Sequence, residues 1–236
     1  MSYVQIHEQV TKLSTPERAK SSSWFFKTGT GEYGEGDLFA GLTVPQSRSI
    51  AQKNLDISYS DCDDLLQSKL HEERLIALLI LVEKYKVGTE KDREDIFKFY
   101  LSHLNRINNW DLVDTSADKI VGEWLYTHPD KKLIHSLVLS SVLWDRRVAV
   151  LASYAFIKHG NPDLTFEIAT TLLSEREDLL HKAVGWMLRE VGKRCGREIL
   201  VPYLRMHYKK MPRTMLRYAI EHFSADERKK YLQGLV

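Results

Sequence analysis

At 236 residues, with 43% hydrophobic and 28% charged residues, the chain carries enough apolar material for one large core or two smaller ones. No run of about 18 apolar residues occurs and the N-terminus MSYVQIHEQVTKLS has no basic-then-apolar order, which argues against a membrane span or secretory signal and predicts a cytoplasmic protein. The net charge of +2 hides an asymmetry: residues 1–118 hold 14 Lys+Arg against 19 Asp+Glu, and residues 119–236 hold 20 against 13, so a polyanion-binding face belongs to the C-terminal half.

Read in chain order, nearly every periodic segment is helical. A first helix is predicted at about 3–14 and a second at 17–29, followed by GTGEYGEGD at 29–37, in which four of nine residues are glycine, as a loop with unusual backbone angles would have. A phosphate-binding loop would continue with Gly-Lys-Ser/Thr, whereas Glu, Tyr and Asp stand here, which excludes that reading. Apolar residues then recur every three or four positions over 73–88, 92–107, 110–129, 132–142, 146–160, 164–174, 178–196 and 211–224. Cys62 and Cys195 lie far apart with no Cys/His cluster around them, so both are expected as free thiols, with no zinc site and no cofactor.

The helices also repeat as units. Trp-Asp recurs at 110–111 and 144–145, and Asp178 opens the next comparable helix, a spacing near 34 residues. RLIALLILVEKYKVG, RVAVLASYAFIKHG and KAVGWMLREVGKRCG share a basic start, an apolar run and a glycine stop. The pattern predicts an all-α fold, an α-solenoid of HEAT-like helix pairs over 1–236, with an atypical N-terminal repeat (1–60, bearing the glycine-rich loop) and regular repeats over 61–236.

One acidic residue sits awkwardly in this scheme. With Trp110 at zero and about 100° per residue, Val113, Ala117, Val121 and Trp124 form an apolar stripe; Asp114 falls near 40°, at its edge, and Asp111 and Asp118 fall on the flank. Asp114 has two readings: an acid favoured by the helix dipole or capping a neighbour, or a carboxylate placed beside an indole to stabilise a cation or hold a water. Asp111 takes only the first. Two helices later, Trp186 and Arg189 share a face beside Gly185, which admits another backbone; Arg189 either faces a ligand or pairs with Glu190 or a nearby acid. Between these groups, Arg146 and Arg147 follow Trp144-Asp145 at a helix start, either gripping phosphates or exposed. No hydrolytic triad, HExxH or zinc-deaminase signature occurs.

WFFKTGTGEYGEGDLFAGLTVPQSR (24–48), NNWDLVD (108–114), LWDRRVAV (143–150) and KAVGWMLRE (182–190), in this order and spacing, resemble the AlkD-type DNA alkylation repair family of HEAT-like DNA glycosylases over nearly the whole chain. The resemblance implies a right-handed solenoid with a concave DNA-binding surface. It implies that Trp110, Asp114 and Trp186 line the lesion site with Asp114 as catalytic carboxylate, and that Arg147 and Arg189 lie near the DNA backbone; Arg146, beside Arg147, and Lys182 are expected as further DNA-binding residues. It implies excision of cationic 3-methyladenine and 7-methylguanine from duplex DNA by a monomer without metal or cofactor. For the glycine-rich segment it implies no role. The competing readings are a non-catalytic HEAT-like module binding duplex or branched DNA, and a protein-interaction scaffold. Steep weakening by salt would separate phosphate-driven binding from an apolar protein interface.

Overall fold

The computed structural model describes residues 2–236. Every regular element among them is helical, and the sole β-type contact is a single bridge between Leu38 and Leu70. The chain divides into two compact units, Met1–Ser116 and Ala117–Val236.

The first unit is built on α5 (His71–Val87), whose sequence HEERLIALLILVEKYKV is apolar on all sides through its middle. Such a helix is stable only when surrounded. It is covered by α1 (Tyr3–Leu13), α3 (Val44–Lys53), α4 (Tyr59–Gln67) and α6 (Glu90–Ser102). Capping boxes start α3, α4 and α6 through Thr43, Ser58 and Thr89. α2 (Pro16–Phe25) buries none of its residues; its start is fixed by Gly41, at φ +84°, where a Cβ would lie 2.3 Å from the Thr15 carbonyl oxygen. The helix stops four residues before the predicted end because Lys27, at φ +56°, is the one non-glycine residue with left-handed backbone among those described.

The stretch that follows the glycine-rich segment then closes on the first turn of α5. Glu72, buried in that turn, accepts the backbone N–H groups of Ala40 (2.9 Å), Gly41 (2.8 Å) and Leu42 (3.1 Å). Three amides on one carboxylate satisfy a buried charge that would otherwise be costly. The Leu38 amide donates to the Lys69 carbonyl and the His71 amide to the Leu38 carbonyl, at 3.2 and 2.8 Å. α7 (Trp110–Ala117) ends this unit.

The second unit begins with a π-helical turn, Asp118–Gly122, and α8 (Glu123–Thr127). It is organised around α10 (Leu143–Lys158) and α12 (Asp178–Arg194). α9 (Lys131–Val138) and α11 (Asp163–Thr171) pack on α10, and α13 (Arg197–His207) and α14 (Arg213–Ala219) pack on α12; α15 (Ala225–Gln233) follows on α14. The π turn widens the helix to i→i+5 bonding, so the 100° wheel fails beyond Asp118: Val121 is buried, but Trp124 is only half-buried.

Gly185 shows why α12 and α14 approach closely. A Cβ there would stand 2.5 Å from the Met215 carbonyl oxygen and 2.5 Å from the Tyr218 Cβ. Gly185→Ala is therefore expected to cost about 1–3 kcal/mol through overpacking, seen as a lower urea midpoint at unchanged slope; an unaltered midpoint would show that this contact yields freely.

Candidate functional site

NNWDLVD begins α7, and the structure places each of its residues. Asn109, fully buried, stands at the helix start: its carbonyl accepts the Val113 amide (3.2 Å) and its side-chain oxygen accepts the Trp110 amide (2.8 Å). Leu112 and Val113 are core. The buried face of α7 therefore runs along Leu112, Val113, Ser116 and Ala117, and both Trp110 and Asp114 lie half-buried at its border.

The helix start is tied to the glycine-rich loop through Asp37, the loop's last residue. Asn108 and Asn109 approach the Asp37 carboxylate with their side-chain amides at 3.3 and 3.5 Å. Arg74 donates to Asp37 Oδ1 at 2.7 Å and to the Ser68 carbonyl at 3.0 Å. His71 completes a chain: Nδ1 lies 3.1 Å from Asp37 Oδ2, and Nε2 lies 2.8 Å from Asp111 Oδ2. The four side chains Arg74, Asp37, His71 and Asp111 thus alternate in charge, with His71, Asp37 and Arg74 buried and Asp111 nearly so.

Burial disfavours the imidazolium, but the Asp111 and Asp37 carboxylates outweigh it and lift the His71 pKa to about 9. Burial likewise acts to raise Asp37, yet the His71 hydrogen bond and the Arg74 guanidinium hold it below the usual carboxylate range. His71 is consequently a cation at neutral pH, and it compensates Asp111. Asp111, read from sequence as an ordinary flank residue, is instead an ion-pair partner across 40 positions of chain.

Aromatic rings lie over the same network. Phe26 stacks on Trp110 (centroids 5.2 Å apart, 16° between planes) and on Phe39 (5.0 Å, 20°), and Phe39 stacks on His71 (4.6 Å, 23°). Phe25 meets the Trp110 ring edge-on at 6.0 Å. Gly34 allows this: a Cβ there would be 2.3 Å from the Phe26 carbonyl oxygen, and its amide donates to the Lys27 carbonyl at 2.9 Å. The glycine-rich loop, for which the sequence offered no role, is the part that seats the Phe26 ring on Trp110.

The remaining candidate residues belong to the second unit. Arg147 is buried and donates to the Leu179 carbonyl at 2.6 Å. Arg146 pairs with Glu175 at 2.9 Å and donates to the Ser140 carbonyl at 2.7 Å. Arg189 pairs with Glu221 and, at 3.6 Å, with Glu190; Lys182 pairs with Asp178 one turn earlier at 2.7 Å. Trp186 is half-buried, its ring 6.5 Å from that of Tyr154. Each basic side chain thus has an acidic or carbonyl partner of its own, and a phosphate would have to compete with it.

Among the described residues no cluster of His, Cys, Asp and Glu is arranged to hold a metal ion, and no helix is long and apolar enough to cross a membrane. Sequence reasoning passed over His71, Asp37 and Arg74. The one available signal was His71-Glu72-Glu73-Arg74, four ionisable residues opening an otherwise apolar helix.

The profile of a family described as DNA alkylation repair enzyme matches residues 6–223. A solved structure described as "Predicted DNA alkylation repair enzyme from Enterococcus faecalis" is similar with a TM-score of 0.70 and 18% identity, over 90% of this chain and 97% of that one. At that identity the likeness speaks for the fold. No curated protein matches.

Proposed function

The chain belongs to the DNA alkylation repair enzyme family, and from that premise we propose that it is an AlkD-type DNA glycosylase whose helix pairs are HEAT-like repeats. It hydrolyses the N-glycosidic bond of cationic N3- and N7-alkylated purines in duplex DNA and leaves an abasic site. The observation that carries this reading is the rigid seat of the α7 start, where Asn108, Asn109, Trp110 and Asp111 are each tied to Asp37, His71 or Phe26. Preorganised charge and dipoles lower a barrier because nothing need reorient as charge develops.

The chemistry asked of the protein is small. A purine alkylated at N3 or N7 is already positive, so the C–N bond breaks with the electron pair moving onto the base, which departs neutral without needing a proton. Positive charge passes to the deoxyribose. Asp114, one turn after Trp110, is assigned to stabilise that charge and to orient the water whose oxygen joins C1′ and whose proton is released. Trp110 and Trp186 offer electron-rich faces to the cationic nucleotide, about 0.5–2 kcal/mol each. Arg147 and Arg189, with Arg146 and Lys182, are assigned to the DNA backbone. No lysine nucleophile is invoked, so strands stay intact.

The test is release of 7-methylguanine and 3-methyladenine from methylated duplex, with strand breaks appearing only after hot alkali. Release at the spontaneous rate, by protein that still binds duplex with a steep salt dependence, would replace this reading with a non-catalytic DNA-binding module.

A further inference from the structure

We propose that Trp24 and Phe25 form a stacking ledge for a nucleobase displaced from the duplex, a DNA-binding element separate from Asp114; this rests on the glycosylase reading above. The two residues end α2 and are 74% and 56% exposed, the only tryptophan and phenylalanine among the described residues to be so. Two neighbouring large aromatic rings left in water mark a contact surface, because burying them against a flat π partner is favourable.

The ledge is ordered before anything binds. The left-handed Lys27 and the close approach of Gly34 to the Phe26 carbonyl fix the chain directly after it. Phe25 packs edge-on against both Phe26 (5.2 Å) and Trp110 (6.0 Å), so the Phe25 end of the ledge is joined ring to ring to the residue that the proposed reaction places at the lesion. A preordered surface loses little conformational freedom when a base settles on it.

Charge and area both point to nucleic acid. The Lys27 ammonium sits 5.0 Å from the centre of the Trp24 ring, bringing a cation to the platform. The loop acids Glu32 and Glu35 are exposed, but each is engaged by a backbone amide of its own loop, Gly29 and Gly31, at 2.9 Å. An aromatic face with an adjoining cation is how proteins hold an unstacked base beside its phosphate. A second copy of the chain is a poor fit, since two side chains fall well short of the roughly 800 Å² per partner that a stable protein interface buries.

The experiment compares binding of two labelled duplexes of one sequence, one intact and one carrying a tetrahydrofuran abasic analogue, whose gap leaves a base free to unstack. Trp24→Ala and Phe25→Ala are expected to weaken binding of the gapped duplex about tenfold, the scale of losing one base–aromatic stack, and of the intact duplex less than twofold. Trp24→Phe should recover most of the loss. Equal affinities of wild type and both alanine variants for the gapped duplex would overturn the proposal. So would a wild-type dimer that sediments as a monomer once Trp24 is replaced, since the ledge would then be a self-association surface. Because binding is read without catalysis, a wild type that releases no base yet loses gapped-duplex affinity on Trp24→Ala would sink the glycosylase reading and leave the ledge standing.

Discussion

Asp114→Asn is expected to lower the rate of 7-methylguanine release by about 10²–10³-fold, the usual cost of removing one preorganised group that stabilises transition-state charge, with affinity for undamaged duplex unchanged. The asparagine keeps the size and one acceptor oxygen, but it loses the charge and turns the other oxygen into an NH2 donor. Asp111→Asn provides the contrast, because its carboxylate is the partner of His71 at 2.8 Å. Its loss should appear first as lower thermal stability, with release reduced only as far as the Trp110 seat is loosened. Equal release by Asp114→Asn and wild type would remove the carboxylate from the proposed mechanism; an Asp111→Asn variant as inactive as Asp114→Asn but equally stable would transfer the role to Asp111.

The long helices were legible because their apolar rhythm reports burial directly. The segments predicted at 73–88, 146–160 and 178–196 correspond to α5, α10 and α12, whose cores are nearly continuous. Four helices escaped. α3 and α4 are ten and nine residues long and bury only three each; α13 carries Pro202 inside it, which removes a backbone donor; α15 buries only Tyr231.

The candidate site was legible in a different way. Asp114 stood out because it broke a helical stripe, and the structure keeps it at the border of the buried face. His71, Asp37 and Asp111 gave no such sign, since an ionic chain closed over 34 and 40 positions leaves no periodicity. The glycine-rich segment announced an unusual backbone but not its purpose, which depends on a Phe26–Trp110 stack between residues 84 apart. Local physics is written in short spacings; a polar network in the tertiary fold is not.

That network leads to the second large effect. His71→Leu strips Asp111 of its ion-pair partner and leaves Asp37 to Arg74 and the two asparagines. Removing one member of a buried charge pair costs about 3–5 kcal/mol because the other is left uncompensated, and at roughly 2–4 °C per kcal/mol for a chain of this size the melting temperature should fall by about 6–20 °C. The pH dependence has a definite sign. A histidine whose folded pKa, about 9, lies above its unfolded value of about 6.5 stabilises the fold fully below pH 6.5 and progressively less as pH rises through 9. The stability gap between wild type and His71→Leu should therefore be widest below pH 6.5 and narrow steadily towards pH 9. Taking the difference between the two proteins cancels groups common to both, and burial has pushed the Cys62 thiol to about 12, outside the window. Asp37 acts at the other end: its depressed pKa stabilises the fold above the ordinary carboxylate range and stops doing so as pH falls through its folded value. Thermal melts of both proteins at half-unit steps from pH 5.5 to 9.5 decide the matter, and a gap that stays constant across that range would mean that the two carboxylates do not raise the His71 pKa on folding.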